Sequence, residues 1–138
     1  MNENTAKARQ ILLSGDYTCV FCKADDVSTD TRRGIRPLLD RIDSSNWQGY
    51  SAADKVVGKA AAYLYHLLGV GSVYAQVISQ PAADVLTRYG IELTYDTLVS
   101  AIASRDGTGF CPMETAVWDI DDPVQALDAV RRQLAKLS

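Results

Sequence analysis

The chain has 138 residues, of which 47% are hydrophobic and 22% are charged, a composition that predicts one ordinary globular domain over residues 1 to 138. Its formal net charge of -3 argues against sequence-independent binding of nucleic acid, which relies on a basic surface. A polar stretch at residues 1 to 10 and the lack of a long apolar run predict neither a signal peptide nor a membrane span. Three cysteines, an odd number, favour reduced thiols and a cytoplasmic location.

The first half of the sequence predicts a short N-terminal helix over residues 5 to 14, followed by a hairpin of two strands at 18 to 24 and 27 to 32. A short helix is expected from Arg36 to near Ile42, and the polar loop after it ends at Ser51, which has the character of a helix cap. One long helix is then predicted from Ala52 to Leu68. Its apolar face would consist of Val56, Val57, Ala60, Leu64, Leu67 and Leu68.

The second half alternates between strands and helices. Residues 72 to 79 and 91 to 95 are rich in β-branched and aromatic residues and predict strands, with a helix between them that begins near Pro81 and ends at Gly90. After a loop at 104 to 111, a helix is expected at Pro112, and a last helix from Pro123 through Leu137. This order favours a partly parallel sheet flanked by helices, with the N-terminal hairpin added to it.

Cys19 and Cys22 form a C-x-x-C pair, but they lie inside a predicted strand. Residues three apart on a strand point to opposite faces, so the two thiols cannot share a metal. The chain's one histidine, His66, lies near the end of the predicted long helix, a position that gives no support for a catalytic triad. We therefore predict no metal site and no bound cofactor.

The predicted helix start at residues 51 to 59 carries an unusual set of charges. Ser51 and Asp54 match a capping box, whereas Lys55 and Lys59 would place two like charges on one helix face. A nearby anion would relieve that conflict, and Gly58 between the lysines suggests that a ligand or a backbone approaches closely. Solvated lysines and a packing glycine are the alternative.

The loop from Arg105 to Glu114 contains two glycines and leads into a predicted helix start, a favourable place for an anionic group. Cys111 would occupy the cap position, where a thiol can become a nucleophile, although no histidine is placed to activate it. Glu114 alternatively acts only as a capping partner. Arg36 is the preferred member of an arginine cluster that could bind phosphate.

Several of these segments carry a resemblance to a known family. The strings SGDYTCV, RGIRPLL, SAADKVVGKAAA, VYAQVIS and RDGTGFCPME followed by DIDDP resemble a bacterial domain-of-unknown-function family over residues 9 to 137. That family is placed in the cytidine-deaminase-like superfamily. The resemblance implies a three-layer α/β/α sandwich with a mixed five-stranded sheet.

The resemblance implies the fold without the reaction. Working deaminases of the superfamily carry H-x-E or C-x-E at the start of one helix and P-C-x-x-C at the start of the next. The corresponding segments here read Ala53-Asp54-Lys55 and Pro81-Ala82-Ala83-Asp84-Val85, with no zinc ligand at either place. Activation of water by zinc needs about three protein ligands, so we expect a protein that works without zinc.

The leading hypothesis is a binding protein or a non-zinc enzyme whose pocket accepts a nucleotide or a related phosphorylated small molecule. The alternatives are a thiol-dependent enzyme that uses Cys111 and a non-catalytic regulatory or interaction module. Whether any reaction is catalysed stays open, as does the oligomeric state, a homodimer included. The predicted ligand-binding residues are Arg36, Asp54, Lys55, Lys59, Ser79, Arg105, Thr108 and Glu114.

Overall fold

The computed structural model describes residues 1–44, 46–104 and 109–137. Its elements in chain order are α1 (Glu3–Leu13), β1 (Cys19–Lys23), β2 (Asp26–Asp30), α2 (Arg36–Ile42), β3 (Ser51–Val57), α3 (Lys59–Leu68), β4 (Ser72–Ser79), α4 (Gln80–Arg88), β5 (Glu92–Val99), α5 (Pro112–Ala116) and α6 (Pro123–Leu137). The strands form a five-stranded sheet in the order β2-β1-β3-β4-β5. Strand β1 is antiparallel to β2 and β3, whereas β3, β4 and β5 are parallel. The predicted α/β architecture with a mixed five-stranded sheet is therefore confirmed.

The segment from Ser51 to Leu68 differs from its prediction as a single helix. Residues Ser51–Val57 form the strand β3, and only Lys59–Leu68 are helical. The strand pairs with β1 on one side and with β4 on the other, and Ala52 and Ala53 are completely buried between them. Ladder hydrogen bonds on both edges outweigh the helical preference of alanine. Sequence alone does not show these partners, because they come from distant parts of the chain.

Three further predictions change with this correction. Ser51 opens a strand and does not cap a helix, and its hydroxyl donates to Asn2 Oδ1 at 3.3 Å. Lys55 lies in β3 and Lys59 in α3, so the two lysines do not share a helix face. Gly58 is the N-cap residue of α3 rather than an interior position. The prediction that Lys55 and Lys59 place two like charges on one helix face is therefore wrong.

Helices cover both faces of the sheet. On one face α1 packs against β1, β3 and β4, where Ala8 and Leu12 meet Val20, Cys22 and Tyr74. The other face carries the larger core, to which α2, α3, α4 and α6 contribute. Cys19 faces this larger core whereas Cys22 faces α1, so the prediction that the two thiols point to opposite faces is confirmed. Among the described helices, none is long and apolar enough to cross a membrane.

Candidate functional site

The carboxyl ends of β3 and β4 lead directly into helices. The carboxyl ends of parallel strands are where α/β proteins bind ligands. Gly58 alone separates β3 from α3, and Ser79, the last residue of β4, is the N-cap of α4. The Ser79 hydroxyl accepts from the backbone N–H of Ala82 at 3.3 Å. The starts of α3 and α4 therefore lie next to each other, at the carboxyl ends of the two neighbouring parallel strands β3 and β4.

Glu114, in the first turn of α5, joins these two helix starts. Its Oε2 accepts from the backbone N–H of Lys59 at 2.7 Å and from the hydroxyl of Ser79 at 2.6 Å. Its Oε1 accepts from the backbone N–H of Ile102 at 2.8 Å. The residue is buried, and a carboxylate with several hydrogen-bond donors is stable in such a place. Glu114 therefore connects α5 and Ile102 to the starts of α3 and α4.

The close approach of this carboxylate explains Gly58. A Cβ atom at position 58 would lie 2.9 Å from Glu114 Oε2, closer than real Cβ contacts allow. The backbone at Gly58 is extended, with φ at -94°, so conformation does not demand a glycine there. The sequence suggested that a ligand or a backbone approaches this glycine, whereas the approaching group is the side chain of Glu114, which matches the alternative of a packing glycine.

Lys59 is a buried cation beside the buried carboxylate. Its backbone N–H serves Glu114, whereas its ammonium donates to the backbone carbonyl oxygen of Trp118 at 2.7 Å. The residue is 8% exposed, and Nζ lies 5.9 Å from the centre of the Tyr63 ring. Within the part of the chain that the structure describes, Lys59 forms no ion pair. An ammonium has three N–H donors, and residues 1–44, 46–104 and 109–137 provide an acceptor for one of them.

Lys59 lines a cleft of about 360 Å³ between α3 and α4. Arg88 lines the same cleft, where its Nη2 donates to the hydroxyl of Tyr63 at 3.1 Å and to the carbonyl oxygen of Asp121 at 3.2 Å. Burial raises the pKa of Tyr63, so this hydroxyl stays protonated. Two carboxylates, those of Asp84 and Asp121, complete the charged lining.

Trp118 lines this cleft and also a second one. The neighbouring cleft, of about 430 Å³, is lined by Phe110, Glu114 and Thr115 among others, and Trp118 contributes to both. The tryptophan is 46% exposed although its carbonyl is held by Lys59. An aromatic side chain with a fixed backbone and an open face is suited to stacking against a flat ring.

Asp54 belongs to a different cluster, in the middle of the sheet. Its Oδ2 accepts from the hydroxyl of the fully buried Tyr65 at 2.6 Å, and its neighbour across the antiparallel pair is Cys19. Burial raises the pKa of Asp54 to about 6. Burial, followed by the charge of Asp54, raises the pKa of the Cys19 thiol. Asp54 lines neither of the two clefts.

Arg41 and Arg32 both bind Asp30, a structural role that the sequence did not indicate. The guanidinium of buried Arg41 donates to Asp30 Oδ2 at 3.0 Å and to the carbonyl oxygen of Thr29 at 3.2 Å. Hydrogen bonds from Arg32, and then from Arg41, hold the pKa of Asp30 well below its usual range. Arg36 begins α2, is exposed, and lines neither cleft.

The remaining predicted residues are placed as follows. Cys111 is the half-buried N-cap residue of α5, where its backbone N–H donates to the carbonyl oxygen of Ile102 at 2.9 Å. His66 lies in the last turn of α3, at the opposite end of that helix from Lys59, and stacks on Tyr89 at 3.8 Å. The histidine is therefore not placed to activate Cys111. Arg105 and Thr108 lie outside the described residues.

The first of the two helix starts that we compared with the zinc motifs of deaminases changes with the corrected start of α3. Residues 53 to 55 lie in β3, so the first helix start is Gly58-Lys59-Ala60, and the second lies in α4, which begins at Gln80-Pro81. Neither start carries a cysteine or a histidine. In residues 1–44, 46–104 and 109–137, no three His, Cys, Asp or Glu side chains are grouped so that they could hold a metal ion.

Two cleft residues that the sequence analysis did not name have a simple sequence signal. Tyr63 lies four residues after Lys59 on α3, and Arg88 lies four residues after Asp84 on α4. Residues at this spacing share a helix face. Once the start of α3 is placed at Lys59, Tyr63 is expected on the same helix face as Lys59. Arg88 is likewise expected on the same face of α4 as Asp84, and both faces line the cleft.

Together, the fold and the site define an α/β protein with a charged cleft at the carboxyl edge of its parallel strands. A protein-family model, "TM1506: Domain of unknown function (DUF1893)", matches residues 7–134. The chain therefore belongs to the DUF1893 family. It is similar to the crystal structure of a DUF1893 family protein (TM1506) from Thermotoga maritima, with 28% sequence identity and a TM-score of 0.85. The similarity covers 99% of this chain and 92% of that one. No curated protein matches the sequence.

Proposed function

We propose that this chain is a binding protein with a cytidine-deaminase-like fold that takes a nucleotide or a related phosphorylated small molecule without zinc. The ligand site is the cleft between α3 and α4. The observation that carries the proposal is the buried ammonium of Lys59, with one hydrogen-bond acceptor and no ion pair among the described residues. The family resemblance and the sheet with helices on both faces support the fold assignment.

The buried ammonium of Lys59 needs polar or charged partners. Removing an ammonium from water costs several kcal/mol unless other groups compensate it. The carbonyl of Trp118 supplies one partner for Lys59. A phosphate oxygen would supply an opposite charge and a strong acceptor for another N–H donor. Lys59 is therefore the group that we expect to bind the phosphate.

The other cleft residues suit the remaining parts of a nucleotide. Arg88 adds a second positive charge, and the carboxylates of Asp84 and Asp121 are acceptors for sugar hydroxyls. The open face of Trp118 offers a platform for a base, and stacking of a base on an aromatic ring contributes about 1 to 3 kcal/mol. Cations, carboxylates and an aromatic ring in one cleft match a ligand that combines phosphate, sugar and base.

The proposal assigns no catalytic role to Cys111. Its helix, α5, has five residues, and no histidine lies beside the thiol in the described chain. We place the protein in the cytoplasm, where reduced thiols are maintained, and all three of its cysteines are free.

Calorimetric titration of the wild-type protein tests the proposal. The panel contains nucleoside monophosphates, the matching nucleosides, ribose 5-phosphate and inorganic phosphate. We expect a monophosphate to bind more tightly than its nucleoside, because the nucleoside lacks the partner of Lys59. Ribose 5-phosphate should bind more weakly than the nucleotide, because it lacks the stacking base. Failure of every phosphorylated compound to bind would overturn the proposal.

A further inference from the structure

The two edges of the sheet are built differently. Strand β2, at one edge, has five residues and an aspartate at each end. Arg41 of α2 donates to the Thr29 carbonyl oxygen and to the Ser28 hydroxyl at 2.8 Å, so a charged side chain holds this edge. Such features prevent an edge strand from pairing with another chain.

Strand β5, at the other edge, lacks these features. It has eight residues, ELTYDTLV, without proline, lysine or arginine. Its apolar side chains include Tyr95, which is 45% exposed, and Leu98, which is 41% exposed. In the described part of the chain no strand pairs with its outer edge. A long, exposed edge with apolar side chains is suited to strand addition.

The direction of the β5 backbone groups follows from one hydrogen bond. The backbone N–H of Glu92 donates to the carbonyl oxygen of Gly71, which immediately precedes β4, at 3.1 Å. Backbone groups of successive strand residues point to alternate edges. The N–H and C=O groups of Leu93 and Tyr95 therefore point away from β4 and are available to another strand.

We propose that β5 pairs antiparallel with β5 of a second copy of this chain, about a two-fold axis at Tyr95. A two-fold axis perpendicular to the sheet preserves its faces, so it must pass through a residue paired with itself. With Tyr95 at the axis, Leu93 faces Thr97 of the second copy, Thr94 faces Asp96, and Glu92 faces Leu98.

This register brings no two like charges opposite each other, and it joins two tyrosines at the centre. Aromatic pairs across strands are favourable, whereas like charges directly opposite are not. An axis at Asp96 would place two aspartates face to face. An axis at Leu93 or at Thr97 would leave much of the strand unpaired. The sequence of β5 is therefore self-complementary about Tyr95, and the result is one ten-stranded sheet across the dimer.

Sedimentation equilibrium of three proteins tests the dimer and its register together. We expect the wild type to have the mass of two chains, and Tyr95→Lys and Tyr95→Glu each to have the mass of one chain. Each substitution places two like charges at the axis. An equimolar mixture of the two variants should regain the mass of two chains, because position 95 then pairs lysine with glutamate. Val27→Lys, on β2, is the matched control and should stay dimeric.

Circular dichroism and the melting curve of each Tyr95 variant monitor its fold. Lysine and glutamate keep the backbone N–H and C=O groups, so neither substitution removes a hydrogen bond between β4 and β5. A monomeric wild type would overturn the proposal. Either Tyr95 variant alone with the mass of two chains, or a mixture that stays monomeric, would also overturn it. A second protein bound to β5 in place of a second copy would leave the purified wild type monomeric.

Discussion

Glu114, in α5, accepts a hydrogen bond from the backbone of Lys59, at the start of α3, yet the charged groups of the two residues have different surroundings. Both residues are buried. The carboxylate of Glu114 accepts three hydrogen bonds from Lys59 N–H, Ser79 and Ile102. The ammonium of Lys59 makes one to the residues that the structure describes, at the carbonyl of Trp118. A buried charge with several partners inside the protein serves the structure, whereas one with a single partner beside a cleft is available to a ligand.

Replacement of Glu114 should give the largest loss of stability. Glu114→Ala leaves the N–H groups of Lys59 and Ile102 and the hydroxyl of Ser79 without their acceptor. Each unsatisfied buried group costs about 1 to 3 kcal/mol, so we expect the free energy of unfolding to fall by about 3 to 5 kcal/mol. Urea denaturation measures it. Glu92→Ala, at an exposed position, is the control and should change the free energy of unfolding little. A change as small for Glu114→Ala would contradict the structural role of Glu114.

Asp54 extends the comparison to a carboxylate with fewer donors. Its pKa is raised to about 6 in the folded protein, above its value of about 4 in an unfolded chain. The folded state therefore binds the proton more tightly, and the stability that protonation gives is lost as the pH rises from about 4 through 6. The loss should be of the order of 1 to 3 kcal/mol.

The difference between wild type and Asp54→Asn isolates this effect from other groups, such as Asp30, whose lowered pKa acts in the opposite direction. Denaturation at pH 4 and at pH 7 provides the measurement. We expect Asp54→Asn to gain stability relative to wild type at the higher pH. A difference that does not change with pH would show that Asp54 titrates as in water.

Gly58→Ala tests the close approach of Glu114. The added Cβ would lie 2.9 Å from Glu114 Oε2 and would displace the carboxylate, at a cost of about 1 to 3 kcal/mol. Gly71→Ala is the matched control, because nothing lies within 4 Å of its added Cβ. In a Glu114→Ala background the cost of Gly58→Ala should be much smaller, as expected for two positions in contact. Equal costs in both backgrounds would exclude this contact.

Lys59→Met should have the smallest effect on stability. Methionine keeps the apolar stem, and the lost hydrogen bond to Trp118 is offset because no charge is buried any longer. We expect the free energy of unfolding to change by less than about 1 kcal/mol. Thermal and urea denaturation without ligand measure this change. A loss as large as that of Glu114→Ala would place Lys59 among the structural groups.

The sequence predicted most of the elements but not the segment that builds the site. The hairpin of β1 and β2, the helix α2 and the strand β4 were predicted from local patterns, because their turn residues and alternation are local. Residues 52 to 57 were assigned to a helix because Val56 and Val57 continue the apolar face of the residues after them, and because Ser51 and Asp54 match a capping box. The partners of this segment, β1 and β4, decide its structure.

The site residues show the same limit. Lys59 and Glu114 were predicted as ligand-binding residues, but their different surroundings depend on contacts between residues that are up to 59 positions apart in the sequence. Neither Trp118 nor Arg88 was selected. The spacing of Asp84 and Arg88 indicates a shared helix face, but it does not indicate that this face lines a cleft. Both residues line the cleft because α3 and α4 start next to each other at the carboxyl ends of β3 and β4. Sequence spacing does not show that arrangement.

The central claim is that Lys59 binds a phosphate group, and a cycle of four calorimetric titrations tests it most directly. Wild type and Lys59→Met are each titrated with the tightest-binding nucleotide and with its nucleoside. Lys136→Met, which changes an exposed lysine of α6, is the control. The account predicts that the phosphate improves binding to wild type and to Lys136→Met by about 1 to 3 kcal/mol, the contribution of a hydrogen bond to a charged group. It predicts that Lys59→Met loses most of this preference. An undiminished preference for the nucleotide in Lys59→Met would contradict the account.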